Sequence, residues 1–364
     1  AYAVRIYRAY GGEALNVVRE NPYRLAMDIR GIGFVTADAA ARKLGFAEDH
    51  PLRIQAGLLY VLQKATDDGN VFLPEEELLD QACQQLAVDR DLARQAVLAL
   101  EQEERVVRES LDELPGRLPA VFREDGEEAE APEVAVYLRR YHHYESKTAF
   151  YLHRLLHSPK AVRFAEPDAL VEKVTESLSF SLAPEQLEAV RTAARSKVMV
   201  LTGGPGTGKT TIINAIIRLF AEVKAKILLA APTGRAAKRM SETSGREART
   251  IHRLLEYSPQ EDGFARNEDN PLACGLLVVD EASMMDTLLF YHLLKAVPMG
   301  ATVVLVGDVH QLPSVGPGNV LADIIASGAV PVVELTEIFR QSAESEIICN
   351  CLLYTSDAAD ERSS

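Results

Sequence analysis

The sequence has no cysteine pattern of a metal site or of a disulfide-stapled domain. Its four cysteines, Cys83, Cys274, Cys349 and Cys351, show neither zinc-ligand spacing nor a disulfide framework. No apolar run approaches the roughly 20 residues needed to span a membrane, and the first residues lack a signal-peptide core. These absences argue against membrane-spanning and disulfide-rich secreted classes and favour a reducing cytoplasm. An initiator methionine is also absent, so we expect a piece of a longer protein.

An excess of positive charge is missing as well. The formal net charge is −14 over 364 residues, which argues against a broadly basic nucleic-acid-binding surface but leaves room for a local groove. The acidic runs 101–104 and 124–130 lie away from the nucleotide motifs described next, and we interpret them as solvated faces or a linker. The length suits two or three domains, and a hydrophobic content of 47% supplies their cores.

The most informative segment that is present is a phosphate-binding loop. Residues Gly203–Thr211 fill the pattern G-x-x-x-x-G-K-[ST], between an apolar run at 197–202 that predicts a buried strand and a helical run at 212–220. Glycines allow backbone N–H groups to close around phosphate oxygens at a helix N-terminus. We expect Lys209 to reach the β- and γ-phosphates of ATP and Thr210 to ligate Mg²⁺. The predicted nucleotide contacts of this loop are Gly203, Gly204, Pro205, Gly206, Thr207, Gly208, Lys209, Thr210 and Thr211.

A second apolar run, 276–279, ends in two acidic residues, Asp280 and Glu281. A carboxylate at the end of such a strand suits the Mg²⁺ of a phosphate-loop site, and we assign that role to Asp280. Glu281 is then placed to orient and polarise the attacking water. An Asp-Glu pair means little by itself and gains its weight from the phosphate-binding loop that precedes it in the same chain.

Three further polar residues are candidates for contact with the nucleotide. Gln311 follows the predicted strand 302–306 and is expected to sense the γ-phosphate. Arg340 follows the last predicted strand and would stabilise charge in the transition state. Gln186 precedes the first strand and is a candidate reader of the adenine edge, whereas His310 is interpreted as polar surface.

Apolar strands alternate with helices from about residue 168 onward, which predicts an α/β fold with a parallel sheet. The candidate strands are Val198–Thr202, Ile227–Ala231, Leu276–Asp280, Thr302–Val306 and Val332–Leu335.

The N-terminal part is predicted to be mostly helical. Gly31 and Gly33 lie in a turn between two short helical stretches, so their backbone amides are placed either to approach a DNA phosphate or simply to close an αα-turn. Residues 51–115 fit a small helical or winged-helix-like module. Residues 112–133 are rich in turn formers, and 134–157 are predicted to form one long helix.

Together these residues resemble a superfamily 1 DNA helicase of the RecD-like group, which includes the exonuclease V α-subunit. The segments that carry the resemblance are Pro184–Gln186, Gly203–Thr211, Ala231–Met240, Thr250–Leu255, Val279–Met284, Gly307–Pro313 and Leu335–Arg340. In the N-terminal part, Asn21–Leu25 and Gly31–Gly33 resemble the helix–hairpin–helix region of longer RecD-like helicases.

The resemblance implies a domain plan. It consists of a helix–hairpin–helix region (1–50), the small helical module (51–115), a linker with a connector helix (116–167), a RecA-like P-loop motor domain (168–350) and a tail without family features (351–364). Residues 257–271 are either the small hairpin that splits the duplex in these helicases or an uncommitted surface loop. We expect the 364-residue polypeptide alone to bind ATP weakly and not to unwind DNA.

The resemblance also implies ATP-driven 5′→3′ movement on single-stranded DNA and at duplex junctions, with nuclease-complex subunits as further partners. The expected DNA contacts are Thr233, Arg235, His252 and Arg253, together with Gly31 and Gly33. Two alternatives stay open. One is a P-loop NTPase without motor activity, which leaves 231–240, Gln311 and Arg340 unexplained, and the other is a non-enzymatic DNA-binding module.

Overall fold

The computed structural model describes residues 2–29, 31–111, 133–178, 181–260, 263–311 and 314–337. The chain divides into two compact units at the junction of His143 and Tyr144. No helix among the described residues is long and apolar enough to cross a membrane.

The N-terminal unit combines helices with a three-stranded antiparallel sheet of order β1-β3-β2. Its elements are α1 (Tyr2–Tyr10), α2 (Ala14–Glu20), α3 (Arg24–Asp28), α4 (Phe34–Lys43), α5 (Pro51–Asp67), β1 (Phe72–Pro74), α6 (Glu75–Leu86), α7 (Arg90–Gln102), β2 (Val106–Ser110), β3 (Val134–Leu138) and the first residues of α8 (Arg139–His157).

The prediction of one long helix over 134–157 is wrong at its start. Val134–Leu138 form the central strand β3, which pairs with β1 on one side and β2 on the other. This apolar stretch is mostly buried and rich in valine, which suits a central strand, and the helix begins only at Arg139. The N-terminal part is mostly helical, as predicted, but β2 was not among the predicted elements.

A buried polar network ties the first helices to α5. The Arg53 guanidinium lies 2.9 Å from Asp38, and the Tyr23 hydroxyl donates to the same carboxylate at 3.0 Å. Arg53 also donates to the Leu86 carbonyl at 3.0 Å. Only 3% of Arg53 is exposed. Its guanidinium therefore needs these hydrogen-bond partners, because an unpaired charge in the protein interior is costly.

The C-terminal unit is built on a six-stranded sheet of order β11-β4-β10-β9-β5-β6, in which every strand pair is parallel. Its elements after α8 are α9 (Pro167–Glu176), α10 (Pro184–Arg195), β4 (Val198–Gly203), α11 (Lys209–Glu222), β5 (Ile227–Ala231), α12 (Gly234–Ser244), β6 (Ala248–Thr250), α13 (Ile251–Leu254), β7 (Tyr257–Ser258), β8 (Gly263–Phe264), β9 (Leu276–Val279), α14 (Thr287–Ala296), β10 (Thr302–Gly307), α15 (Val320–Ala326) and β11 (Val332–Leu335).

Both faces of this sheet are covered, because alternate residues of each central strand enter different cores. In β4, Val198 and Val200 pack with α14 and α15, whereas Met199 and Leu201 pack with α10 and α11. Both sets are apolar, as expected for a parallel sheet buried on two sides.

The predicted fold class is confirmed, and the five candidate strands match the observed ones to within one residue. The edge strand β6 was not predicted. It has only three residues, Ala248–Thr250, and they are only partly buried. Such a short strand contains no apolar run by which the sequence would reveal it.

Candidate functional site

The nucleotide motifs converge at the carboxyl ends of the parallel strands. The phosphate-binding loop follows β4, Asp280 and Glu281 follow β9, and Asp308 follows β10, with β10 lying between β4 and β9. Ligands of open α/β sheets bind in the crevice outside these strand ends. The sheet order therefore brings together side chains that are far apart in sequence.

The glycines of the loop are required by its backbone. Gly203 has φ +155°, and a Cβ there would lie 2.7 Å from the Leu335 carbonyl oxygen and 2.9 Å from Thr207 Oγ1. Gly208 has φ +88° and is the N-cap residue of α11, so the first N–H groups of that helix point into the loop. The result is a cradle of backbone donors at the positive end of a 14-residue helix.

Lys209, the first residue of α11, folds back over this cradle. Its Nζ donates to the Gly203 carbonyl and, at 3.0 Å, to the Gly204 carbonyl. Burial lowers the pKa of Lys209, while the negative charges of Asp308, Glu281 and Asp280 oppose that shift. The ammonium is thus held by neutral carbonyls and lies within the electrostatic reach of three acids.

The surroundings of the two acids after β9 disfavour their ionised forms. Burial raises the pKa of Asp280, against the hydrogen bond that its carboxylate accepts from the Glu281 N–H at 2.9 Å. Burial, and then the charge of Asp280, raise the pKa of Glu281. Glu281 also has a left-handed backbone with φ +53°, an unfavourable conformation for a residue with a Cβ that is typical of functional sites.

Asp308 has no role predicted from the sequence, and it lies at the start of the loop that follows β10. Only 4% of Asp308 is exposed. Its carboxylate accepts from Gln311 Nε2 at 3.1 Å and from the His310 N–H at 3.0 Å. Asp308 therefore positions Gln311. Asp308, like Asp280, directly follows a buried strand. This position in the sequence could have identified it as a candidate site residue.

Arg239 of α12 was also missed, because α12 follows a different strand, β5. Its charge lowers the pKa of both Asp280 and Glu281, against the larger effect of their burial. Arg239 therefore contributes positive potential to the same crevice.

Gln186 lies under the phosphate-binding loop with 4% of its surface exposed. Its amide nitrogen donates to the Thr207 carbonyl at 3.2 Å, and its amide oxygen accepts from the Ala183 N–H at 3.1 Å. The neighbouring Glu185 accepts from the backbone N–H and hydroxyl of Thr336 at 2.9 and 2.7 Å. The start of α10 is thereby tied to the loop and to the end of β11. Arg340 lies outside the described residues.

The expected DNA contacts after β5 and β6 lie at helix starts on the same edge of the sheet. Thr233 caps α12 by accepting from the Ala236 N–H at 3.2 Å, and Arg235 follows it at the exposed surface. His252 and Arg253 lie on α13, beside a cavity of about 650 Å³ that Arg249 and Tyr257 also line. Thr233 is thus a structural cap whatever else it contacts.

Residues 257–271 contain the two-stranded antiparallel hairpin β7–β8. Its aromatic residues Tyr257 and Phe264 lie 5.1 Å apart, and each ring lies within 6 Å of the His252 ring. The Phe264 ring also contacts the His292 ring of α14, with the ring centres 4.5 Å apart and the planes tilted by 41°. Aromatic contacts therefore anchor the hairpin to the body of the unit.

Gly31 and Gly33 lie in the N-terminal unit, in the turn between α3 and α4. Gly31 has φ +88° and so needs glycine, whereas Gly33 is extended and is the N-cap residue of α4. The turn between two short helices that the sequence predicts for this segment is present.

Comparison with known proteins gives matches to both parts of the chain. The family described as "ATP-dependent RecD2 DNA helicase HHH domain" matches residues 1–72, and the family "AAA domain" matches residues 186–317. An ATP-dependent RecD2 DNA helicase of Deinococcus radiodurans is 38% identical over 347 residues, covering 95% of this chain and 46% of that protein.

Two further relatives match mainly one part of the chain. The RecBCD enzyme subunit RecD of Mycobacterium tuberculosis is 42% identical over 164 residues, covering 39% of this chain and 28% of that subunit. The ATP-dependent DNA helicase dda of Enterobacteria phage T4 is 39% identical over 154 residues, covering 40% of this chain and 35% of that protein. This chain spans less than half the length of each of the three relatives.

Proposed function

This chain belongs to the RecD-like group of superfamily 1 DNA helicases, and from that premise we propose that it supplies the first motor domain of an ATP-driven helicase moving 5′→3′ on single-stranded DNA. The observation that carries the proposal is the convergence of Lys209, Asp280, Glu281 and Gln311 at one edge of a parallel sheet. Because the chain covers 46% of its Deinococcus relative, unwinding is proposed for the whole protein.

The roles follow from the chemistry of each group. The loop amides and Lys209 bind the triphosphate, and Lys209 exchanges its carbonyl partners for phosphate oxygens, which are stronger acceptors. Glu281, with its raised pKa, accepts a proton from the attacking water. Gln311, held by Asp308, contacts the γ-phosphate and couples its presence to the neighbouring strand ends. We retain Gln186 as a reader of adenine and Arg340 as the residue that stabilises transition-state charge.

The residues present fit Mg²⁺. Thr210 offers a hydroxyl oxygen and Asp280 a carboxylate at the same crevice, and such oxygen donors with substrate phosphates are how proteins usually hold this ion. Mg²⁺, when bound, neutralises charge on the β- and γ-phosphate oxygens. The raised pKa of Asp280 reflects buried negative charge that a divalent cation would compensate.

We further propose that single-stranded DNA passes along the carboxyl edge of the sheet at Thr233, Arg235, His252 and Arg253. Helix-start amides and cations there suit phosphates, and the aromatic hairpin β7–β8 lies beside them for contact at a duplex junction. The turn at Gly31 and Gly33 adds a phosphate contact in the N-terminal unit. We also propose that subunits of a nuclease complex are partners of the protein and that it acts in a bacterial cytoplasm.

The test is DNA-stimulated ATP hydrolysis by the full-length protein carrying Lys209→Ala. We expect turnover to fall by at least about a hundredfold, because the variant loses the charge aimed at the phosphates. Lys173→Ala changes an exposed lysine paired with Glu222 and should leave turnover unchanged. Retained turnover in Lys209→Ala would contradict the proposal.

The same assay separates the two alternatives. ATP hydrolysis that is indifferent to single-stranded DNA would indicate a P-loop NTPase without motor activity. DNA binding that depends only on residues 1–143, in the absence of ATP hydrolysis, would indicate a binding module. The direction of movement is tested by displacement of streptavidin from the 3′ rather than the 5′ end of a biotinylated strand.

A further inference from the structure

The N-terminal unit contains a cavity that the motor proposal does not use. It has a volume of about 740 Å³ and opens between the α3–α4 turn, α5 and the beginning of α8. Gly33 and Phe34, at the start of α4, belong to its lining together with Tyr23 and Tyr60. A cavity of this size has room for a nucleotide or a similar small molecule.

One side of the cavity is a series of nearly parallel aromatic rings. Tyr23 stacks on Phe34 at 6.1 Å and 19°, and Phe34 stacks on Tyr60 at 5.4 Å and 23°. Tyr23 and Phe34 are buried, whereas Tyr60 is partly exposed. Tyr60 is therefore the end of the series that a further planar ring can reach, and nucleobases stack on such rings whatever their identity.

The other side of the cavity is cationic. The charged residues of the lining are three arginines, Arg105, Arg139 and Arg140, and one acid, Glu104. In a chain with a net charge of −14, this local excess of positive charge selects an anionic ligand.

Two of the arginines have neutral partners. Arg105 donates to the Met27 thioether sulfur at 2.8 Å, and Arg140 donates to the Gln63 amide oxygen. A thioether is a weak acceptor, and phosphate oxygens would replace both partners with stronger hydrogen bonds. Arg139 is different, because it bonds to Glu104.

A planar ring beside a cluster of guanidinium groups is the combination that binds a base together with its phosphate. We propose that this cavity binds one unpaired nucleotide of a DNA strand, with its base stacked on Tyr60 and its phosphate held by Arg105 and Arg140. This inference rests on the proposal that the protein acts on single-stranded DNA, and it adds a base-binding subsite beyond the backbone contacts expected from the Gly31–Gly33 turn.

The first experiment locates the nucleotide by photocrosslinking. The full-length protein is irradiated with a single-stranded oligothymidine that carries 5-iododeoxyuridine, and the adducts are mapped by mass spectrometry. We expect an adduct at Tyr60 that persists in Tyr60→Phe, which keeps the ring, and disappears in Tyr60→Leu. Excess thymidine monophosphate should not suppress it, because a free nucleotide lacks the rest of the strand.

The second experiment measures the phosphate contact without disturbing the aromatic series. For single strands, each phosphate contact contributes about 0.7 to the slope of log K against log salt concentration. Arg140→Gln should therefore reduce that slope by about 0.7 for oligothymidine. Arg94→Gln changes an arginine of the same unit that pairs with Glu76, and it should leave the slope unchanged.

Each remaining outcome overturns the inference in a distinguishable way. Adducts confined to residues 144–364, with an unchanged slope in Arg140→Gln, would reject the cavity and leave the motor proposal intact. Suppression of the Tyr60 adduct by thymidine monophosphate would assign the cavity to free nucleotides instead of DNA. Absence of adducts from the whole protein would reject both the cavity and DNA binding by the motor.

Discussion

The two units bury charged groups in opposite ways. In the N-terminal unit, Asp38 and Arg53 lie 2.9 Å apart, and Arg42, the Tyr23 hydroxyl and backbone carbonyls supply further partners. In the C-terminal unit, Lys209 bonds to backbone carbonyls, burial raises the pKa values of Asp280 and Glu281, and the charge of Asp280 raises that of Glu281 further. A buried pair leaves each charge compensated, so that removal of one partner is costly, whereas charges crowded in a crevice cost stability and are typical of a functional site.

The largest predicted effect is a loss of ATP hydrolysis on substitution in the crevice that holds Lys209, Asp280 and Glu281. We expect Glu281→Gln to reduce DNA-stimulated ATP hydrolysis by roughly 10²- to 10⁴-fold, because an amide cannot accept the proton of the attacking water. In the unmodified protein, turnover should fall as the pH decreases through the raised pKa of Glu281, since the protonated acid is not a base. Glu242→Gln changes an exposed glutamate of α12 and serves as the control. Turnover close to normal in Glu281→Gln would remove Glu281 from the chemistry.

The next effect concerns the paired charges of the N-terminal unit. Asp38→Ala leaves Arg53 buried without its carboxylate, and we expect the free energy of unfolding of this unit to fall by about 3–5 kcal/mol. The matched control is Asp80→Ala, which breaks the more exposed pair with Arg90 in the same unit and should cost about 1 kcal/mol or less. Urea denaturation followed by circular dichroism measures both. Equal losses in the two variants would mean that burial does not distinguish the pairs.

The smallest predicted change is a gain in the free energy of unfolding rather than a loss. Because burial raises the pKa of Asp280, its ionised form costs the folded state free energy above that pKa. We expect Asp280→Asn to raise the free energy of unfolding by roughly 0.5–2 kcal/mol at mildly alkaline pH while it abolishes ATP hydrolysis. The gain should shrink as the pH falls through the raised pKa, because the native carboxyl is then protonated. Asp269→Asn changes an exposed aspartate and serves as the control. A lower free energy of unfolding in Asp280→Asn than in this control would contradict the contrast between the two units.

The sequence predicts what is locally encoded. The phosphate-binding loop and the strands around it are recognisable because glycine spacing and apolar runs are properties of contiguous residues. The central strand β3 lies within a predicted helix, because only its two partners, β1 and β2, decide its conformation. The edge strand β6 was not predicted for a different reason, since its three residues contain no apolar run.

The electrostatic design of the site is also non-local. Asp308 holding Gln311, Arg239 acting on Asp280, and Asp38 meeting Arg53 each depend on the fold rather than on a motif. Residues 197–211 illustrate the contrast, since their strand, loop and helix start could all be predicted. The contacts of Gln186 with Ala183 and Thr207 could not.

The central claim is that a triphosphate binds in the cradle of Lys209. Its most direct test is the binding of a fluorescent, non-hydrolysable ATP analogue to this chain, with and without Mg²⁺, in the native sequence and in Lys209→Ala. The account predicts saturable, Mg²⁺-dependent binding that weakens by at least about tenfold in the variant. Equal affinity in both proteins, or binding indifferent to Mg²⁺, would contradict it.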